Sequence, residues 1–438
     1  MTIYKITKRG NYGVIGPIPG GKLAGMLLQK MSYTRKGAEY MPHPEWAVVK
    51  LYSVKKGVFP WGFANVVDDV MRQWGEYSPD DKYIWEYTIP SVEHWHTPKL
   101  RQYQNDAIDA LIEHRGGILC MPTGSGKTIT ALRYIKILNR TATVVVPTLD
   151  IKKMWESKLG ENDDVRIINY QNPRAATFVA TSDIIIFDEC HHVAAKSLYN
   201  LSMFAKTDSI IVGLSASPVR EDGEDMRMFG ALGPIVYQIS RRDLIEQWYL
   251  SDAVVHYYKP LFDTQGDFVY NYVELYDKHI VKNFSRNKMI LDAMAQYVAK
   301  GRKVLVLVTQ IEHGQYLYDA SGIEKKIFCH GQSLDRYKNL SEYNCIVASN
   351  IFNEGIDLPE LDVVILAAGG KSSIQLTQRV GRVLRLKASR HAAIIIDFVD
   401  LGPKHLSKHY KRRRELLSQD FEVVEHEQSG ATLPSFFG

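Results

Sequence analysis

Cysteine is scarce in this chain: Cys120, Cys190, Cys329 and Cys345 are the only 4 among 438 residues, far apart and never in Cys-x-x-Cys spacing. That excludes a disulfide-stapled secreted scaffold, fits a reducing compartment and argues against structural zinc. Cys190 and His192 have no second pair of ligands nearby. Long apolar runs are also missing, with nothing approaching the roughly 18 residues of a membrane span. The opening MTIYKITKRG lacks the apolar core of a secretory signal. These absences lead to the expectation of a cytoplasmic protein with no membrane partner. There is no internal repeat, no low-complexity tract and no oligomerisation segment, so a monomer is expected. At 45% hydrophobic and 24% charged residues the composition is that of an ordinary globular protein. A net charge of +5 hints at polyanionic partners without establishing them.

The length suits about three units. Residues 1–95 are rich in Trp, Tyr, Gly and Lys, with short alternating runs such as Trp46 to Tyr52, and read as a small α+β module. From Leu100 the texture changes to short apolar runs separated by amphipathic stretches: Gly117 to Cys120, Ala142 to Val146, Asp183 to Phe187 and Ile210 to Leu214. It resumes at Lys303 to Val308, Cys345 to Ala348, Val363 to Leu366 and Ala393 to Ile396. Continuous apolar runs of this length fit parallel strands buried on both faces. Two α/β lobes follow, expected over 96–235 and 236–438. Between them Tyr257 to Leu275 alternates aromatic and polar residues around Asp263-Thr264-Gln265-Gly266-Asp267, which predicts a hairpin within about 250–280.

Met121-Pro122-Thr123-Gly124-Ser125-Gly126-Lys127-Thr128 sits between a strand-like run and a helix-like one. Gly124 and Gly126 let backbone N–H groups around Ser125 turn onto a phosphate, Lys127 adds an ammonium, and the Thr128 hydroxyl suits Mg²⁺. Met121 stands where the general pattern has Gly, and such a loop can also be a plain turn. The ATP reading therefore depends on an acidic partner, which Ile184-Ile185-Ile186-Phe187-Asp188-Glu189-Cys190-His191 supplies at the end of a strand. Asp188 would hold Mg²⁺ and Glu189 would accept a proton from the attacking water. Upstream, Gln104 offers the donor and acceptor an adenine edge needs, with Arg101 or Tyr103 flanking the base; a solvated helix start is the alternative. In the second lobe, Arg382 and Arg385 lie three apart within Gln378-Arg379-Val380-Gly381-Arg382-Val383-Leu384-Arg385. On a helix they share a face, and guanidinium forks stabilise a transferring phosphoryl group.

From about residue 98 to 415 this series resembles the superfamily 2 helicases. Gln104 matches the Q motif, Met121 to Thr128 motif I, Val146-Pro147-Thr148 motif Ia and Asp188-Glu189-Cys190-His191 the DExH motif. Leu214-Ser215-Ala216-Ser217-Pro218 looks like motif III, with Ser217 where the family more often has Thr. Val306 to Thr309 and His330-Gly331 resemble the motif IV region, and Ala348 to Asp357 resembles motif V. The Arg382 segment resembles motif VI. The resemblance implies two tandem RecA-like lobes using ATP and Mg²⁺. It implies arginine-finger roles for Arg382 and Arg385, linkage of ATP to the other motifs for Gln378, close backbone approach at Gly355, and a ribose or arginine contact for Asp357. It also implies a nucleic-acid track over loops at Thr148, Ser349, Asn350 and the region of Lys371.

The DECH form, the closing Gln-Arg-Val-Gly-Arg-Val-Leu-Arg-Leu and the following Ile394 to Asp400 look most like XPB-like and phage UvsW-like DNA motors. A basic stretch, His405 to Arg414, carries Tyr410 among cations and suits DNA through Lys411 and Arg412, although such stretches are more often solvated faces. The expectation is an ATP-dependent helicase or translocase acting sequence-independently on forked, duplex or Holliday-type DNA in replication, recombination or repair, in a bacterial or phage-infected cytoplasm. The N-terminal module, with Arg35, Lys36, Lys50, Lys55 and Lys56, would hold duplex or junction DNA, and the hairpin would be a strand-separating wedge or merely an edge hairpin. Duplex translocation without strand separation, an RNA substrate and a non-hydrolysing ATP-gated clamp stay open as alternatives.

Overall fold

The computed structural model describes residues 4–36, 38–41, 43–74, 99–159, 164–216, 225–250, 252–263, 271–330, 339–349, 361–369 and 392–426. The chain forms two compact units that divide between Ser240 and Arg241, except that Thr123–Ser125 groups with the second. Each contains one parallel sheet.

In the first unit a 6-stranded sheet has the order Ile235–Gln238, Gly117–Cys120, Ile210–Ser215, Ile184–Asp188, Ala142–Val146, Val165–Asn169. All its pairings are parallel. Gly117–Cys120, Ala142–Val146 and Ile210–Ser215 are buried along their whole length, because helices cover both faces. Ile235–Gln238 pairs with Gly117–Cys120, so the first sheet extends past residue 235, where the sequence suggested the second lobe begins. The register aligns Ser215 with Cys120 and Leu214 with Asp188. Loops carrying residues 121–126, 147–148, 189 and 216 therefore leave adjacent strands at the same carboxyl edge, where open α/β sheets bind ligands.

The second unit carries a 7-stranded parallel sheet in the order Lys326–Cys329, Cys345–Ala348, Val304–Leu307, Val363–Ile365, Ala393–Phe398, Ala253–Tyr258, Glu422–His426. These two parallel sheets with their covering helices are tandem RecA-like lobes. The expected hairpin within 250–280 does not form among the described residues. Ala253–Tyr258 is an interior strand paired in parallel with Ala393–Phe398 and Glu422–His426, and Tyr272–Tyr276 is helical. The helix wins there because Asn271 accepts from the N–H groups of Val273 and Glu274 while the Glu274 carboxylate accepts from the Asn271 N–H, a reciprocal cap. Residues 264–270 lie outside the described set.

A smaller layer packs within the first unit. Lys5–Arg9, Tyr12–Gly16 and Val58–Pro60 form a 3-stranded antiparallel sheet, covered by Gly21–Lys30 and Ala64–Trp74. Its core includes Phe59, Leu27 and Val67, with Trp61 and Trp74 packed against it. The layer is built onto the helix Asp225–Leu232: the Asn11 side-chain amide donates to the Ala231 carbonyl at 2.8 Å, and Phe229 packs on the small core. Gly62 makes this approach possible, since a Cβ there would stand 2.0 Å from the Phe229 carbonyl oxygen. Gly62→Ala is expected to destabilise the first unit by about 1–3 kcal/mol through that overlap. Thermal unfolding and limited proteolysis within residues 4–74 would read the effect; an unchanged midpoint and cleavage pattern would contradict the tight docking.

Candidate active site

Met121 follows the strand Gly117–Cys120, and the chain turns through Gly124 and Gly126, both at φ +85°, before the helix Lys127–Leu138 begins. Ser125 lies between these glycines. Gly126 is required for conformation, at φ +85°, and a Cβ there would also press on the end of the Gln104 side chain, whose nitrogen would lie 2.5 Å away. Lys127 bends back so that its ammonium donates to the Met121 carbonyl at 3.0 Å. Met121 is itself fully buried. Its side chain belongs to the core and its carbonyl faces the loop, so this position works through backbone and tolerates the departure from Gly.

Asp188 closes the neighbouring strand but one. The Trp155 indole Nε1–H donates to its Oδ2 at 2.8 Å, and the Glu189 N–H donates to its Oδ1 at 2.9 Å. Burial lifts the Asp188 carboxyl above the usual carboxylate range and the adjacent Glu189 charge adds to this, while Trp155, Lys127 and the Glu189 amide pull against it. Burial and the neighbouring like charge both disfavour the ionised carboxylate, which a bound cation would restore. Glu189 adopts φ +48°, ψ +52°, left-handed backbone that costs a non-glycine residue about 1–3 kcal/mol. Its side chain lies 3.6 Å from the His191 ring nitrogen and is nearly buried. Thr128 is buried on the first turn of the helix, its hydroxyl 3.8 Å from the Met154 sulfur.

With Mg²⁺ as the expected metal, Thr128 and Asp188 are the side chains that would hold it. The fit is chemical: Mg²⁺ takes one or two protein oxygens plus phosphate oxygens and water rather than an all-protein cage. No cluster of three or more His, Cys, Asp or Glu side chains able to hold a metal occurs among the described residues. The four cysteines are free and buried, and burial drives the Cys190 thiol well above its ordinary range.

Gln104 lies in the first turn of the helix Gln102–His114, where its Oε1 accepts from the Arg101 N–H at 3.0 Å. It thus caps the helix while its amide nitrogen leans on Gly126. Tyr103 is 2% exposed and accepts from the Arg101 guanidinium at 3.1 Å. A buried ring cannot flank a base, which leaves Arg101 as the flanking candidate.

The nucleic-acid candidates divide. Thr148 is half-buried and follows the Ala142–Val146 strand; its hydroxyl accepts from the Ile151 N–H at 3.3 Å. Ser349 is 6% exposed, so it is not presented on a surface in this arrangement. Within the helix Lys404–Asp420, Lys411 is exposed and Arg412 pairs with Glu415 at 2.7 Å. Tyr410 does not stand among cations on the surface: it is 4% exposed and meets Tyr257 edge-on. Arg413 is likewise interior, bound to Asp397 at 2.9 Å and Asp400 at 2.8 Å. The helix therefore shows a core face and an exposed face with Lys404, Lys408 and Lys411 one turn apart. Asn350, Gly355, Asp357, Lys371, Gln378, Arg382 and Arg385 lie outside the described residues. Trp155 was missed in the sequence because a lone Trp on an amphipathic helix reads as core; its polar role depends on a strand 33 residues away.

Residues 97–166 match the family described as type III restriction enzyme, res subunit, and residues 285–387 match the helicase conserved C-terminal domain. A curated relative, DNA 3'-5' translocase XPB2 of Sulfurisphaera tokodaii, is 26% identical over 72% of this chain and 85% of its own length. ATP-dependent DNA helicase uvsW of Enterobacteria phage T4 is 24% identical over 82% of this chain and 80% of its own. Two further relatives are longer, the chain spanning 64% and 55% of them. Among solved structures, S. cerevisiae Dbp5 bound to RNA and ADP BeF3 shares the fold with a TM-score of 0.52 and 12% identity, over 75% of this chain and 90% of that one. No described helix is long and apolar enough to cross a membrane.

Proposed function

We propose that this chain, an ATP-hydrolysing superfamily 2 helicase resembling the XPB and UvsW proteins, is a DNA motor that moves on branched or duplex DNA by gripping its backbone. The observation that carries the reading is the Asp188-Glu189 pair, held by Trp155 and by left-handed backbone at the same sheet edge as Lys127. In this reading the N–H groups of Gly124 to Thr128 and the Lys127 ammonium hold the β- and γ-phosphates. Mg²⁺, held by Thr128 and Asp188, would offset charge on the phosphate oxygens. Glu189 accepts the proton of the attacking water, and Arg101 and Gln104 border the base. Gln378, Arg382, Arg385, Gly355 and Asp357 are proposed as further ATP-site residues.

For DNA, the supporting observation is where the positive charge lies. Residues 1–95 hold 12 Lys and Arg against 9 Asp and Glu, with 11 of those cations but only 4 of those anions before residue 75. Arg35, Lys36, Lys50, Lys55 and Lys56 of that segment are all exposed. We assign this layer to duplex or junction contact, with Thr148, Asn350, Lys371, Lys411 and Arg412 along the motor track. The proposed roles are remodelling of forks and four-way junctions in replication, recombination or repair, by a monomer. Translocation on duplex without strand separation is the second reading, favoured because the described flanks of the expected wedge are an interior parallel strand, Ala253–Tyr258, and a helix, Tyr272–Tyr276.

The test is ATPase activity measured in parallel with single-stranded DNA, duplex, fork, four-way junction and RNA. Stimulation by DNA, falling by about 10³-fold in affinity between 50 and 200 mM salt, is expected for a backbone-gripping protein. Stimulation by RNA alone would overturn the DNA assignment. Triplex displacement without strand displacement would favour the second reading.

A further inference from the structure

One helix of the first lobe touches both residues assigned to the metal and also begins at the loop assigned to nucleic acid. Leu149–Leu159 follows Pro147-Thr148 directly, and Thr148 caps it: the Thr148 hydroxyl accepts from the Ile151 N–H at 3.3 Å and its carbonyl from the Lys152 N–H at 3.1 Å. The Asn169 amide holds the Pro147 carbonyl at 2.8 Å, fixing the loop to the sheet. One turn and a half further on, Met154 receives the Thr128 hydroxyl at 3.8 Å and the Trp155 Nε1–H grips Asp188 Oδ2 at 2.8 Å. Ile151 and Trp155, spaced i and i+4, are 3% and 0% exposed, so the helix is pinned to the sheet by the same face that carries the indole.

We propose that the helix Leu149–Leu159 couples the Pro147-Thr148 loop to Thr128 and Asp188, with Trp155 and Met154 as positioning residues. This rests on the motor reading above. A buried indole N–H needs an acceptor, and the one it takes here is the metal-assigned carboxylate. Any shift of the loop when nucleic acid binds is carried along a stiff helix about 16 Å long. That shift moves the indole and sulfur against the two groups that set metal geometry. Partners of a metal ligand commonly tune metal affinity about 10–100-fold.

The full chain is titrated by calorimetry with a non-hydrolysable ATP analogue, with and without saturating single-stranded DNA and over a range of Mg²⁺. In the wild type DNA is expected to tighten analogue binding by about 5–150-fold, the usual range of coupling between sites. Trp155→Phe keeps the ring in the core and removes the N–H. It is expected to fold with a lower thermal midpoint from the smaller ring and the lost N–H, to keep its nucleotide-free DNA affinity, to lose most of that coupling, and to need about 10-fold more Mg²⁺ for half-maximal binding. If Trp155→Phe fails to fold, Met154→Leu is measured in its place, with the same loss of coupling expected. A variant that folds, couples and responds to Mg²⁺ like the wild type overturns the inference alone. A wild type that binds the analogue but is indifferent to every nucleic acid overturns the motor reading and the inference with it.

Discussion

Glu189→Gln is expected to lower ATP turnover by about 10²–10⁴-fold, the usual contribution of a positioned general base, while leaving Mg²⁺-ATP binding in place. Glutamine keeps the volume and can keep the left-handed backbone at φ +48°. What it lacks is a basic oxygen. The expected kinetic signature is a fall in kcat with little change in KM, because a proton acceptor acts mainly in the transition state. Single-turnover ATPase with saturating DNA would measure it. Wild type and Glu189→Gln equally inactive would point instead to an ATP-gated clamp, and equal activity would remove Glu189 from the chemistry.

Arg413→Met should destabilise the second unit by about 3–5 kcal/mol. The guanidinium is fully buried, bonded to Asp397 through Nε at 2.9 Å and to Asp400 through Nη2 at 2.8 Å, and also donates to the Phe398 carbonyl at 3.2 Å. Burial by itself works against the Arg413 charge, and the two carboxylates outweigh it, raising its pKa and keeping it protonated. Arg286, also fully buried, takes the other Asp400 oxygen at 3.4 Å and the Ala367 carbonyl at 2.7 Å. Methionine fills much of the arginine volume but leaves Asp397 and one oxygen of Asp400 buried without their cation. Arg413→Lys should recover only part of the loss, because a single ammonium cannot bridge both carboxylates in the geometry of the fork. Chemical unfolding followed by a probe in the second unit is the measurement, since two units need not unfold together. A loss under about 1 kcal/mol would mean the cluster relaxes by neutralising its carboxylates.

The phosphate loop and the Asp188-Glu189 pair could be placed from the chain alone because each is a local pattern on a local element. Gly126 takes positive φ in a short turn where glycine is favoured, and the β-branched run Ile184-Ile185-Ile186-Phe187, short and followed by acidic residues, favours a buried strand. The strands that escaped notice, Val165–Asn169, Lys326–Cys329 and Glu422–His426, lie toward or at the sheet edges and carry polar residues on their less covered positions. Tyr257 misled for the opposite reason. Its alternation with polar neighbours imitates a half-exposed hairpin, whereas the strand is interior and its histidine is accommodated by stacking on His426.

What the sequence determined by itself was the two-lobe parallel architecture and the order of the phosphate, acidic and arginine segments, since period, glycine conformation and strand length act over a few residues. Only the tertiary structure decided which cations of Lys404–Asp420 face inward, that Gln104 caps its helix against Gly126, and that Trp155 holds Asp188. Those outcomes turn on desolvation. A charge or an indole N–H can be buried only where a partner arrives from a distant strand, and Asp397, Asp400 and Asp188 arrive by sheet register, which no local pattern encodes.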